Sequence, residues 1–293
     1  MTYTVKSLCG LLGISRQGYY KHKDKVDEVD ILTGSIVMYC LYIRGKDNLP
    51  KAGCRQLYEL CRQYFKEKFV IGRDQFYSIL RANGLMLRQR KFHPRTTDSR
   101  HRFKIYSDLV NTSPRFVPEG NGRLIVCDIT YICIEGGFAY LSLITDAYSR
   151  SVVGYCLSRT LDREGPLTAL KNAISLYHRL GIDISSLIHH SDRGVQYAST
   201  DYVNLLKSNN IRISMTQTGD PLHNALAERM NNTLKNEWLF NNGNMTFEEA
   251  GKAIDKAVIM YNTARPHSAL SMRTPQEILT GSCLNPLIKP AWR

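Results

Sequence analysis

The chain has 293 residues, of which 43% are hydrophobic and 22% charged, an ordinary composition for one or two globular domains. It has no run of about 18 apolar residues, no leader-like N-terminus and no CxxC pair among its eight cysteines, so a membrane span, secretion and a zinc site are not expected. The net charge of +13 indicates an anionic polymer or surface as the partner.

The N-terminal part is predicted to be mainly helical. Residues 4–22 fit two short helices around a turn at Leu12–Ser15, a pattern typical of a helix-turn-helix but shared by any helical hairpin. Apolar residues at helical spacing and a Gly stop after Asn83 then predict further helices. These helices cover residues 29–43, 54–65 and 72–83.

Positive charge is concentrated in this helical part. Residues 1–120 hold 22 basic and 11 acidic residues, against 17 and 15 in residues 121–293. The densest run, from Arg81 to Lys104, has eight basic residues and one acid. A solvated linker would fit it, but its position between two domains favours an arm that follows nucleic-acid phosphates. The candidate phosphate contacts in this arm are Arg88, Arg90, Lys91 and Arg95.

After residue 118 the pattern changes to strands and helices in the order βββαβαβα. Short β-branched runs predict the strands, and Gly or Pro breaks separate them from amphipathic helices. This order predicts a mixed sheet with helices packed on it. The predicted strands cover residues 123–134, 138–145, 151–157, 186–190 and 211–215, and the helices cover 163–180, 200–207, 224–240 and 246–261.

Three acids stand out in this second part. Asp128 lies in the middle of the most apolar strand, where an ionised carboxylate is costly unless it is paired or bound to a metal. Asp192 follows the strand at 186–190, beside Gly194, which permits a tight turn. Glu228 lies one turn into the helix that begins at Asn224. A structural Asp and an ordinary turn Asp would explain the first two equally well.

The helix from Asn224 presents two different stripes. Its apolar residues, Ala227, Met230, Leu234 and Trp238, cluster on one side and predict the buried face. Glu228 lies on a separate polar stripe that also contains Asn224, Asn231 and Lys235. Lys235 follows Glu228 by two helical turns, a position where a lysine is ordinarily solvated.

The three acids can converge on divalent metal. Mg²⁺ prefers oxygen ligands and leaves positions open for substrate phosphate. Two such ions activate a nucleophile and stabilise a leaving oxygen in phosphodiester chemistry. The chain has neither a Walker-type phosphate loop nor a GxSxG nucleophile turn, so ATP-driven and hydrolase-type serine chemistry are not indicated.

Several motifs in the same order resemble the catalytic core of insertion-sequence transposases of the orfB type, in the insertion-sequence-three group. Asp192 and Glu228 are separated by 35 residues, the spacing that marks this group. One departure is Cys127, where the family often has Trp near the first acid. The matching segments are Asp128–Ile132, His190–Tyr197, Asn224–Asn231, Tyr261–Asn262, Arg265–His267 and Leu270 with Thr274–Pro275.

The resemblance implies an RNase H-like mixed five-stranded sheet flanked by helices, preceded by a mainly helical basic region. It implies a DDE triad of Asp128, Asp192 and Glu228 that binds Mg²⁺ or Mn²⁺, with two ions, and DNA contacts from Asn224, Asn231 and Lys235. The implied domains are residues 1–115 for DNA binding, 118–280 for catalysis and 281–293 as a tail.

The implied reaction is cleavage and joining of DNA at the ends of a mobile element. The implied partners are element-end and target DNA, further copies of the chain on that DNA, and a helix-turn-helix protein from an upstream reading frame. Association with the nucleoid follows from the DNA partner. Two alternatives stay open: an RNase H-like nuclease without strand transfer, and a non-catalytic DNA-binding regulator.

Overall fold

A computed structural model describes residues 4–87, 104–217, 224–239, 245–282 and 285–287. Its N-terminal region is helical, as the apolar spacing predicts. Thr4 and Ser15 cap the first two helices by accepting from Ser7 N and Gly18 N. The helices are α1 (Val5–Leu11), α2 (Arg16–Ile43), α3 (Cys54–Phe65) and α4 (Arg73–Ala82).

The length of α2 corrects one expectation. The sequence patterns predicted a short helix ending near residue 22 and a separate helix over 29–43, but α2 runs unbroken through both. The residues between them include no proline or glycine, so nothing in the backbone chemistry ends the helix there. The turn between α1 and α2 is present, with Gly13 at a φ of +66°.

The second part is a five-stranded mixed sheet in the order β3-β2-β1-β4-β5. β1, β2 and β3 pair antiparallel, while β4 pairs parallel with both β1 and β5. The predicted mixed sheet is therefore confirmed, with most strand ends within one or two residues of their predicted places. The strands are β1 (Leu124–Ile134), β2 (Gly137–Asp146), β3 (Val152–Ser158), β4 (Ile188–Ser191) and β5 (Arg212–Met215).

Helices cover both faces of this sheet. Side chains of α5 (Glu164–Arg179) and α6 (Thr200–Ser208) pack against Ile125 and Cys127 on one face. Side chains of α7 (Ala225–Glu237) and α8 (Phe247–Thr263) form the core of the other face. Alternate residues of β1 thus belong to opposite cores, which is the period of a strand.

A short helix, α9 (Pro275–Thr280), was not predicted. Thr274 caps it by accepting from Glu277 N, and the Glu277 carboxylate accepts from Thr274 N. This capping box, with Pro at the first helical position, is visible in the sequence and is the signal that could have found the helix. None of the helices in the described part of the chain combines the length and the apolar character that crossing a bilayer requires.

The N-terminal helices share a core with the end of α8. Met260, Ala264 and Leu287 belong to the same buried cluster as side chains of α2, α3 and α4. Polar contacts reinforce the junction: Trp238 Nε1 donates to Asn48 O at 2.6 Å, and Tyr39 OH donates to Leu287 O at 2.8 Å. The helical region is thus held at a defined position relative to α7 and α8.

Candidate active site

Asp128 lies in the middle of β1, on the face of the sheet that α7 covers. Its carboxylate accepts from Asn231 Nδ2 at 2.6 Å and from Ile129 N at 3.0 Å. The neighbouring Cys127 points to the opposite core and is fully buried, in a cluster that contains Tyr197 and Tyr202. These large aromatic side chains fill the core around this small residue.

Asp192 directly follows β4 and begins a tight turn. Its Oδ1 accepts from Gly194 N at 2.9 Å, and Arg193 Nε donates to Thr216 O at 2.7 Å, which fixes the turn against β5. A Cβ at position 194 would lie 3.0 Å from Asp192 Oδ1 and 3.2 Å from Gln196 Oε1. Glycine therefore leaves room for the Asp192 carboxylate.

Parallel pairing brings Asp128 and Asp192 together. Cys127 of β1 stands opposite Ser191 of β4, and the pairing of the two strands ends there. Asp128 and Asp192 are the next residues, so they lie side by side. The pKa of Asp128 is raised to about 7, first by burial and then by the negative charge of Asp192; hydrogen bonds from Asn231 and Ile129 oppose this rise. Two half-buried carboxylates thus lie close enough for one to act on the other.

Glu228 lies in the first turn of α7 and is half-buried. Its charge also raises the pKa of Asp128, as the smallest of the causes. It lines an open groove of about 420 Å³ along the outer side of α7, together with Arg229, Asn232 and Glu237. The third acid thus faces both the Asp pair and a groove that is open to a ligand.

The polar stripe of α7 lies against β1. Asn224 Nδ2 donates to Cys127 O at 3.0 Å, and Lys235 Nζ donates to Thr130 Oγ1 at 3.2 Å. With the Asn231–Asp128 bond, three residues of the predicted stripe therefore contact one strand, at Cys127, Asp128 and Thr130. Burial lowers the pKa of Lys235, which is half-buried. The apolar face of α7 is buried as predicted, through Ala227, Met230 and Leu234.

The contact between Asn231 and Asp128 is the feature that sequence reasoning missed. The sequence places Asn231 three residues after Glu228, on the same stripe, and we expected it to face DNA. The remaining predicted DNA contacts, Arg88, Arg90, Lys91 and Arg95, lie outside the described residues.

The donor set suits a hard divalent cation. All candidate ligand atoms are carboxylate oxygens, and a cation would offset the repulsion that raises the pKa of Asp128. Within the described ranges, no group of three His, Cys, Asp or Glu side chains is close enough together to hold a metal ion. Glu228 therefore does not join Asp128 and Asp192 in such a group in this structure.

Comparison with known proteins matches most of the chain. Two family models, both described as integrase core domain, match residues 118–221 and 209–275. The chain is 29% identical over 275 residues to the insertion element IS600 uncharacterized 31 kDa protein of Shigella sonnei, covering 92% of this chain and 96% of that protein. It is 31% identical over 218 residues to the transposase for IS629 of Shigella sonnei, covering 74% of this chain and 70% of the relative.

A solved structure also aligns with the core. The HTLV-2 integrase catalytic core domain, in its complex with magnesium, covers 56% of this chain and 99% of that domain, at 18% identity and a TM-score of 0.43.

The mixed sheet and the two family matches define an integrase-type core, and with it an enzyme that transfers polynucleotide strands. The chain belongs to the insertion-sequence transposases that carry an integrase core domain. It is a DNA transposase with an RNase H-like catalytic fold.

Proposed function

We propose that Asp128, Asp192 and Glu228 are the acids through which this transposase cleaves and joins DNA at the ends of its element. The observation that carries the proposal is that Asp128, within β1, and Asp192, just after the parallel strand β4, lie together, with Glu228 near enough for its charge to raise the pKa of Asp128. An electrostatically crowded carboxylate pair in a concave site is typical of functional positions.

The reaction has two steps of the same type. In the first, a water oxygen attacks the phosphorus at the element end, the bond to the 3′ oxygen breaks, and a 3′-OH is released. In the second, this 3′-OH attacks a phosphodiester of the target, forming a new bond to phosphorus as the target's own 3′ oxygen leaves. Both steps need an activated attacking oxygen and a stabilised leaving oxygen.

Asp128, Asp192 and Glu228 would hold Mg²⁺ or Mn²⁺, as two ions. Bound divalent ions supply activation of the attacking oxygen and stabilisation of the leaving oxygen. Asn231 orients the Asp128 carboxylate, and Gly194 N orients that of Asp192. Lys235, on the same stripe as Glu228, would contact the terminal nucleotides of the element end.

The remaining parts of the chain have separate roles in this proposal. Residues 1–115 bind element-end DNA, with Arg88, Arg90, Lys91 and Arg95 on its phosphates. Residues 118–280 carry catalysis, and residues 281–293 form the tail, in which Leu287 packs with the N-terminal helices. The active form is a homo-oligomer on DNA at the nucleoid, assisted by or fused to an upstream-frame helix-turn-helix protein.

The triad is tested with the full chain, a labelled duplex carrying the element end, a target duplex and Mg²⁺. We expect Asp128→Asn, Asp192→Asn and Glu228→Gln each to abolish cleavage and joining while DNA binding is kept, because DNA affinity comes mainly from basic contacts to phosphates. The control Asp201→Asn removes an exposed carboxylate from α6 and should keep activity. A triad variant with near-normal joining removes that residue from the proposal.

A further inference from the structure

Four basic side chains from three parts of the catalytic core meet near the outer side of α7. Arg150 comes from the turn between β2 and β3, Arg229 from α7, and Arg265 and His267 from the segment after α8. We call this group the basic cluster. Its members are far apart in the sequence, and the region that contains them has nearly balanced charge.

The fold holds Arg150 in a defined place. The side chain of Asp146 accepts from Tyr148 N and Ser149 N, and Asp146 O accepts from Arg150 N at 2.9 Å. Two hydrogen bonds between Asn262 of α8 and the backbone of Val152 tie the end of this turn to α8. Arg150 is therefore fixed beside the helix that leads to Arg265 and His267.

The charges in the basic cluster are only partly balanced. Arg265 pairs with Glu237 at 2.6 and 2.8 Å, with both side chains 15% exposed. Within the described part of the chain, the guanidinium groups of Arg150 and Arg229 have no hydrogen bond or ion pair. His267 Nδ1 is buried and has no hydrogen-bond partner among the same residues.

The members are close enough to affect one another. The pKa of His267 is lowered to about 4, first by burial and then by the charges of Arg265, Arg150 and Arg229. The ring of Tyr261 lies near two of them. Its centroid is 6.4 Å from that of the His267 ring and 5.7 Å from Cζ of Arg265. His267 is therefore uncharged at neutral pH, and the arginine charges gathered near it are unfavourable unless an anion completes the group.

The groove along α7 indicates where a bound anion would continue on the surface. It runs along α7 from Glu228 past Arg229 to Glu237, the partner of Arg265. Because this side of α7 is open to solvent, an extended strand can follow it, and guanidinium groups bind phosphate oxygens through paired hydrogen bonds. We propose that the basic cluster binds a backbone phosphate of the DNA strand that follows the outer side of α7 into the active site.

This proposal rests on the proposed function only in taking Glu228 to mark the active site. The test therefore measures DNA binding in the full chain carrying Asp192→Asn, without cleavage, so that an error in the triad leaves the result intact. Anisotropy of a fluorescein-labelled duplex is followed over a range of KCl concentrations, with the element end and with a mixed sequence of equal length.

The test variant is Arg150→Gln with Arg229→Gln. The matched control is Arg179→Gln with Arg212→Gln, which removes two exposed charges from the end of α5 and the start of β5, away from the carboxyl ends of the parallel strands. We expect the test variant to lower the salt slope of binding by about one per lost phosphate contact, equally for both duplexes, and the control to change it far less.

Equal effects of the two pairs, or wild-type binding by the test variant, would overturn the proposal. If the test pair lowers the melting temperature, Arg229→Gln alone repeats the measurement at an exposed helical position. Inorganic phosphate at constant ionic strength distinguishes a free-phosphate site: stabilisation of the wild type by phosphate together with unchanged DNA binding in the test variant would also contradict a role on DNA.

Discussion

The carboxylate of Asp128 is held where burial and repulsion both disfavour its charge. Its pKa of about 7 reflects burial first and the charge of Asp192 second. Asn231 and Ile129 N supply donors that favour the ionised form, so the site combines an unfavourable environment with a fixed orientation. Such a carboxylate is poised to accept a cation, which is why Asp128 is the centre of the proposed mechanism.

His189 offers a test of the core at the scale of one residue. It is fully buried beside Tyr202, and burial lowers its pKa to about 3. The unfolded chain binds a proton at this side chain below about pH 6.5, but the folded chain does so only near pH 3. The free energy of unfolding should therefore fall as pH is lowered through this window, by about 2 kcal/mol at pH 5 from this residue alone.

Urea denaturation at pH 7 and pH 5 measures this effect. In His189→Gln, which keeps a polar group toward Tyr202, the loss of stability between the two pH values should shrink by that amount. His178→Gln, at an exposed position of α5, is the matched control and should keep the wild-type dependence. The same pH dependence in all three proteins would show that His189 does not titrate as its burial requires.

At the scale of elements, the link between α7 and β1 sets the geometry of the site. Asn224, Asn231 and Lys235 each contact this strand, so the helix that carries Glu228 is held in register with the strand that carries Asp128. A groove then follows the outer side of the same helix. One side of α7 thus faces Asp128, and another side faces solvent.

Asn231→Ala tests this register. Loss of the donor to Asp128 should lower the rate of joining at saturating DNA by roughly tenfold to a hundredfold, as for other residues that orient metal ligands. The dissociation constant for DNA should stay unchanged. The control Asn172→Ala removes an exposed amide from α5, on the other face of the sheet, and should keep the rate. Weaker DNA binding with a normal rate would instead support the DNA contact that the sequence indicated for Asn231.

The elements themselves were largely predictable. β-branched alternation and Gly or Pro breaks locate all five strands, because these signals act over a few residues. The continuous α2 was missed, since a change in amphipathic pattern does not end a helix when the backbone allows it to continue. The three candidate acids were singled out by their places on two strands and a helix and by the resemblance, and their role stays a prediction. The contact from Asn231 to Asp128 could not be predicted, because it depends on how α7 lies on the sheet.

At the scale of the whole molecule, the helical region and the catalytic core form one connected body. The shared cluster at Met260, Ala264 and Leu287 joins them, and an ion pair between Lys256 and Asp47 at 2.5 Å adds to the junction. On the other side, Leu109 N donates to Ser214 Oγ, so the segment after the basic run reaches the carboxyl ends of β4 and β5. The proposed arm would therefore begin and end close to the core.

Removing the charge of this arm tests its role in the full chain. Replacement of Arg88, Arg90, Lys91 and Arg95 by Gln should weaken binding to any duplex and make its dependence on salt less steep. With fewer phosphate contacts, binding releases fewer counterions from the DNA. The matched control replaces Lys171, Arg179, Lys207 and Arg212, exposed positions of the core. Binding curves over a KCl series measure both variants, and an equal change in the two would assign the effect to net charge alone.

The proposed metal site is tested most directly by calorimetric titration of Mn²⁺ into the full chain bound to element-end DNA that is already cleaved and ends in a 3′-deoxy nucleotide, because neither chemical step can then proceed and only binding is read. We expect the wild type to bind Mn²⁺, and Asp128→Asn with Asp192→Asn to lose that binding while the DNA complex persists. The control Asp183→Asn with Asp201→Asn, two exposed acids of the core, should bind as the wild type does. Unchanged Mn²⁺ binding after loss of both Asp128 and Asp192 would contradict the proposed site.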